Sequence, residues 1–205
     1  MTQTHSPRLF VIAPAGLEAS AAAACLHAAA TAGDIACLLL QADARGHVDP
    51  GLARALTRAA HEHDIATLIA NDAALARAVG ADGVHVTTGP AALRAARAAL
   101  PGDAIVGAEA GGGRHLAMTL GEAGADYLAI DPARHAKGEP LLSWCAEMLV
   151  LPVVAFAPAP PEALPALIRA GADFVCPAPA MWDGPEAARR VIAASMAAMT
   201  TEAAE

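Results

Sequence analysis

Hydrophobic residues fall along this chain in short unbroken runs, spaced evenly between longer Ala-rich stretches. Eight runs, at 8–13, 35–40, 67–70, 83–86, 104–107, 127–130, 153–156 and 174–176, are bounded by Gly, Pro or Asp. They read as strands covered on both faces. The stretches between them (18–32, 51–63, 73–79, 90–99, 114–123, 141–148, 161–170 and 185–199) have high helix propensity. Pro90, Pro161 and Pro185 stand near predicted helix starts, where a missing N–H costs nothing. One joint recurs: Gly80-Ala81-Asp82, Gly124-Ala125-Asp126 and Gly171-Ala172-Asp173 each close an Ala-rich run and open an apolar one. Gly ends a helix readily because it accepts a left-handed backbone.

Strict strand–helix alternation predicts a parallel sheet with right-handed crossovers. Eight such units in a chain of 205 residues predict a single-domain α/β fold, a compact (β/α)8 TIM barrel. Its core is expected at about 8–193, with 1–7 and 200–205 as loose ends. An open doubly wound sheet needs a phosphate fingerprint after its first strand, and Ala13-Pro14-Ala15-Gly16 is not one.

Composition narrows the function. Hydrophobic residues make up 56% and aromatics 3%, so packing rests on small and branched aliphatics. The formal net charge is −8 with no basic stripe, which argues against nucleic-acid binding. An anionic ligand therefore needs its positive charge supplied locally. Cys25, Cys37, Cys145 and Cys176 show no Cys-x-x-Cys spacing and read as small buried hydrophobes in a reducing cytoplasm. Pro14 and Glu18 interrupt the first apolar stretch, so a signal peptide is not expected. Every long apolar run is broken by a charge or a helix breaker, so no membrane span is expected. The expected compartment is the cytoplasm.

In such a barrel, chemistry gathers at the C-terminal ends of the strands. The sequence places Gln41, Asp43 and Arg45 after the second strand and Asn71 and Asp72 after the third. His85 lies on the fourth strand and Glu109 follows the fifth; Asp131, Arg134, His135 and Lys137 follow the sixth. Arg45, Lys137, Asn71 and Asp72 together suit a phosphorylated ligand with a hard metal, since Mg2+ takes one or two carboxylates plus phosphate oxygens. Asn71-Asp72 also reads as a helix N-cap, and His85 as an inert interior histidine. His61 and His63 point to different helix faces and make a poor metal pair. Trp144 and Trp182 read as packing anchors, with Trp182 also a candidate for the mouth.

The block Ile69-Ala70-Asn71-Asp72, Leu75-Ala76 and Gly80-Ala81-Asp82-Gly83-Val84-His85-Val86 resembles the thiamine-phosphate synthase family, which includes a thiazole-tautomerase branch. Gln41, Gly107, the joint before Tyr127, Pro152-Val153-Val154-Ala155 and the third joint extend the likeness from about 8 to 193. The resemblance implies a barrel that joins a pyrimidine-methyl diphosphate to a thiazole phosphate and releases diphosphate, with Mg2+ and cations stabilising the leaving anion. It implies that Gln41 and Asn71 contact substrate, that Asp72 ligates Mg2+ and that Arg45 stands for a diphosphate-binding Lys. It also points to a homodimer, which the Ala-rich helices suit.

The departures carry as much information. The family's acidic ligand after the strand-four His falls at Pro90 in Thr87-Thr88-Gly89-Pro90. Asp43 replaces an Arg, Glu109 replaces a Ser, and Lys137 meets the family's lysine only after a two-residue shift. The family's Gly-Gly after strand seven and backbone amides after strand eight hold phosphate; here they are Ala157-Pro158 and Pro177-Ala178-Pro179. Three prolines remove three N–H donors. These changes favour a family member that has lost the synthase reaction and binds a less phosphorylated or more cationic small molecule at the mouth. The alternatives are a working thiamine-phosphate synthase and a non-catalytic binding paralogue. A tautomerase-like use of His85 or His135 as a general base lies between them.

Overall fold

A computed structural model describes residues 6–136 and 139–202, with the side chains of 135, 136, 139, 201 and 202 set aside. Five strand–helix units and a sixth strand come first: β1 (Arg8–Ala13), α1 (Ala19–Ala30), β2 (Ile35–Leu40), α2 (Pro50–His61), β3 (Ala66–Ala70), α3 (Ala73–Val79), β4 (Gly83–Val86), α4 (Pro90–Ala99), β5 (Ile105–Glu109), α5 (Arg114–Glu122) and β6 (Leu128–Ile130). A short antiparallel pair, β7 (His135–Ala136) and β8 (Glu139–Pro140), precedes α6 (Leu141–Met148). Then come β9 (Val153–Ala159), α7 (Leu164–Arg169), β10 (Phe174–Pro177) and α8 (Pro185–Glu202). The eight long strands close into one parallel barrel in the order β1-β2-β3-β4-β5-β6-β9-β10, with β10 returning to β1. The chain is therefore the (β/α)8 barrel that its alternation predicts.

The three repeated joints explain themselves at atomic level. Gly80, Gly124 and Gly171 all sit at positive φ (74°, 91° and 94°). The N–H of each following Ala reaches back to the helix, to Ala76 O, Leu120 O and Leu167 O, while the Gly N–H bonds a carbonyl nearer the end. That is the Schellman pattern, and it satisfies carbonyls the helix leaves open. Each Asp then grips the strand before it. Asp82 donates its N–H to Thr67 O and accepts from Thr67 N at 2.7 Å. Asp126 does the same with Val106, also at 2.7 Å, and Asp173 with Val153 at 2.8 Å. The motif thus locks the N-terminal ends of neighbouring strands and leaves the opposite end free to vary.

Helix starts follow the same economy. Asp49 caps α2 with Pro50 in its first turn. The carboxylate of Glu18 caps α1, and bonds from the Ser20 hydroxyl and from the Ser20 and Ala21 N–H groups bring its pKa down to about 2. Departures from the sequence reading are local. The β7–β8 pair interrupts the loop expected after β6. A 3-10 turn, Pro161–Ala163, takes the first part of the expected seventh helix, and a second, Pro179–Asp183, fills the connection to α8. β9 runs to Ala159, three residues beyond the predicted end. Among the described residues no helix is long and apolar enough to cross a membrane. All four cysteines are free and buried. Burial pushes the Cys145 thiol up to about 11 and raises Cys37 and Cys176 further, so they act as packing groups.

Candidate functional site

Side-chain direction along a strand alternates, so one inward residue fixes its neighbours on paired strands. Phe10 meets Tyr127 and Phe156 inside the barrel, at ring-centroid distances of 5.7 and 6.3 Å. Phe10 pairs with Cys37 and Ile12 with Leu39. Gln41 continues that parity, and its N–H extends the β1–β2 ladder to Ala13 O at 2.9 Å. His85 pairs with Gly107 and Glu109 with Ala129, so His85 and Glu109 share the inner face. The mouth is therefore rimmed by half-buried Gln41, Glu109 and Phe156, with half-buried Asp131 just past β6.

His85 lies deeper, at 1% exposure. Its Nδ1 meets the Tyr127 hydroxyl at 2.7 Å, and its ring stacks on Phe156 at 5.1 Å. Nε2 is buried with no hydrogen-bond partner among the described groups. Burial lowers its pKa to about 4, so the ring is neutral at pH 7. A group so placed suits an ordered neutral hydrogen-bonding role better than proton transfer with solvent. Gly107 makes the arrangement fit, because a Cβ there would stand 1.9 Å from the Tyr127 ring. The Gly107–Tyr127 relation and the place of Phe156 were not singled out from the sequence. Parity along β5, β6 and β9 was the signal that could have found them.

The loop residues divide differently. Asn71 has a left-handed backbone, φ 56°, a conformation Asn tolerates better than most residues. Its side chain clasps Thr87 twice: Nδ2 donates to Oγ1 and Oδ1 accepts from the Thr87 N–H, both at 2.9 Å. Asp72 is the N-cap of α3, accepting from Leu75 N at 2.8 Å. Asp43 forms a turn of its own: hydrogen bonds from the His47 and Arg45 N–H groups hold its pKa below the usual carboxylate value. Arg45 is exposed on the same loop. Asp131 accepts from Ala133 N at 2.9 Å, and Arg134 lies 3.8 Å from its other oxygen. The structure therefore brings Gln41, Glu109 and His85 to the barrel's inner face, and sets Asn71, Asp72 and Arg45 on the loops around it. Lys137 lies outside the described residues. Trp182 is at the mouth end, its Nε1 donating to Ile12 O at 2.8 Å. His61 and His63 do turn to separate partners, Asp82 and His27.

A Mg2+ ion would find one carboxylate at the β3–α3 turn, Asp72. Among the described residues no group of three or more His, Cys, Asp or Glu converges. Asp72 already spends one oxygen on its helix, and Pro90 at the start of α4 has no ligating side chain.

The sequence model of the family described as thiamine monophosphate synthase matches residues 9–180. The chain belongs to the thiamine monophosphate synthase family. It is 36% identical over 190 residues to the thiamine-phosphate synthase of Rhodospirillum centenum, covering 87% of this chain and 90% of that protein. It is 37% identical over 212 residues to that of Hyphomonas neptunium, covering 93% and 96%. The fold matches the thiamine phosphate pyrophosphorylase of Pyrococcus furiosus with a TM-score of 0.78 at 18% identity, over 97% of this chain and 98% of that one. A structure titled native KDPGal aligns equally well, with a TM-score of 0.79 at 18% identity and both chains fully covered. Thiamine monophosphate synthase family membership thus rests on sequence, while the structural likeness speaks for the barrel alone.

Proposed function

We propose that this chain is a divergent member of the family whose mouth binds a small molecule but no longer joins the pyrimidine and thiazole halves. One observation carries the reading. Where a phosphate nest is expected, β9 runs on through Ala157 and Pro158, and after a shift of register its Ala159 pairs with Pro177 of β10. Phosphate-binding nests need successive N–H groups turned to one point. Pro158, Pro177 and Pro179 have none to offer. Each lost charge-assisted hydrogen bond costs about 1.5–3 kcal/mol of binding. Glu109 on the inner rim adds repulsion toward a dianion. The ligand favoured is small and flat, neutral or cationic, resting against Phe156 with Gln41 and Glu109 as polar partners. The working enzyme remains the second reading, favoured by 36% identity across 87% of the chain.

Purified protein given pyrimidine-methyl diphosphate, thiazole phosphate and Mg2+ decides between them. The expected result is no diphosphate release above background from folded protein, and no thermal stabilisation by thiamine phosphate. Mg2+-dependent release that disappears in Asp72→Asn, a change that keeps the helix cap, would establish the second reading. The proposal includes a homodimer, and a sedimentation mass equal to one 20.5 kDa chain would refute that part.

A further inference from the structure

The inner layers of a (β/α)8 barrel are ordinarily filled with bulky branched side chains. Here the N-terminal end has a half-open pocket of about 330 Å3. Buried Phe10, Leu68, Tyr127 and Val154 form its depth, and half-buried Ala36 and Ala66 stand toward its opening. Ala66, paired with inward Cys37, leaves only a methyl where a branched residue could reach inward, and Ala36 lines the same space beside the register shift at the start of β2. Gly83 does not contribute to this space, since a Cβ there would lie 1.8 Å from Ile105 O.

We propose that this chamber is a second binding site, separate from the mouth, for a small uncharged molecule of one or two aromatic rings. Size sets the first limit. A dry apolar cavity of about 150 Å3 accepts benzene, so a half-open pocket of about 330 Å3 has space for one or two rings. Charge sets the second. The Arg8 guanidinium at the rim is bound twice to Asp34, at 2.7 and 2.8 Å. The Asp126 carboxylate is bound to Arg97 and to Val106 N, at 2.6 and 2.7 Å. Both rim charges are thus already paired, and the apolar walls would desolvate a charged guest without compensation. The lining supplies the third, since Phe10, Tyr127 and Phe174 offer ring faces and edges to an aromatic guest. Tyr127 also carries His85 on its hydroxyl, so the occupant touches the residue that orders the layer beneath the mouth.

The test uses indole as probe and the full chain with ring-labelled tyrosine. Tyr127 is the single tyrosine, so one set of ring signals reports on the chamber. Titration is expected to shift those signals saturably. Ala66→Leu, which fills the chamber, should weaken indole binding by at least about tenfold. Ala36→Leu serves as the second filling variant, and indole carboxylate should bind at least about tenfold more weakly than indole. Absence of a saturable shift in the parent chain overturns the proposal. So does affinity unchanged in the filling variants, or a carboxylate that binds as well as indole. The readout involves no turnover and stands apart from the fate of the synthase reaction.

Discussion

His85 shows how one residue's surroundings decide its use. Its ordinary pKa is 6.5, and burial brings it to about 4. The unfolded chain therefore takes up the proton near pH 6.5 and the folded chain only near pH 4. Stability is full above this window and declines as pH falls through it. The loss amounts to roughly 3 kcal/mol at the acid end. Urea unfolding at pH 7 and pH 4.5 should show that decline in the parent chain and a much smaller one in His85→Gln. Gly107 is the companion case. Gly107→Ala places a methyl inside the Tyr127 ring's volume and should cost at least about 1–3 kcal/mol in the same assay. It should also shift the tyrosine ring signals.

At the level of elements, the β3–α3 turn serves two ends. Asp72 holds the first turn of α3 whatever else it does. Asp72→Ala should lower stability by about 1 kcal/mol, while Asp72→Asn should leave it nearly unchanged, as thermal unfolding would show. The end of β9 is the second element with a consequence. If the prolines are what silence the phosphate site, the double change Ala157→Gly with Pro158→Gly should loosen the strand end and restore one N–H. A gain in thermal stabilisation by inorganic phosphate, absent from the parent chain, is the expected outcome. No gain would shift the cause to Glu109 and the loops beyond.

Across the whole molecule, the three Asp grips stitch neighbouring strands around the barrel floor. Removing one leaves a strand N–H without its partner. Asp173→Ala should cost about 1–3 kcal/mol in a single cooperative urea transition. Asp82→Ala and Asp126→Ala should cost at least as much, because beyond the shared pair of bonds Asp82 also holds His61 and Thr67 Oγ1 and Asp126 also holds Arg97. A second transition in any of them would mean that the barrel floor is not one cooperative unit.

Much of this architecture was legible beforehand because it is local. Helix and strand follow from propensity and run length, and the Gly-Ala-Asp joints announce their own geometry. Those terms act over a few residues, so the sequence by itself determined eight units, their order and their closure into a barrel. The site was legible only in part. Gln41 and Glu109 were legible from their place just after predicted strands, and Asp72 as a helix cap, but Asn71 clasping Thr87 is a choice among competing hydrogen bonds. Tertiary structure alone decided that His85 meets Tyr127 through the gap left by Gly107, that β9 continues through Pro158, and that Ala36 and Ala66 leave a chamber. These facts depend on strands far apart in the chain meeting at a given height. That height is set by the stagger of the closed barrel, which no local pattern encodes.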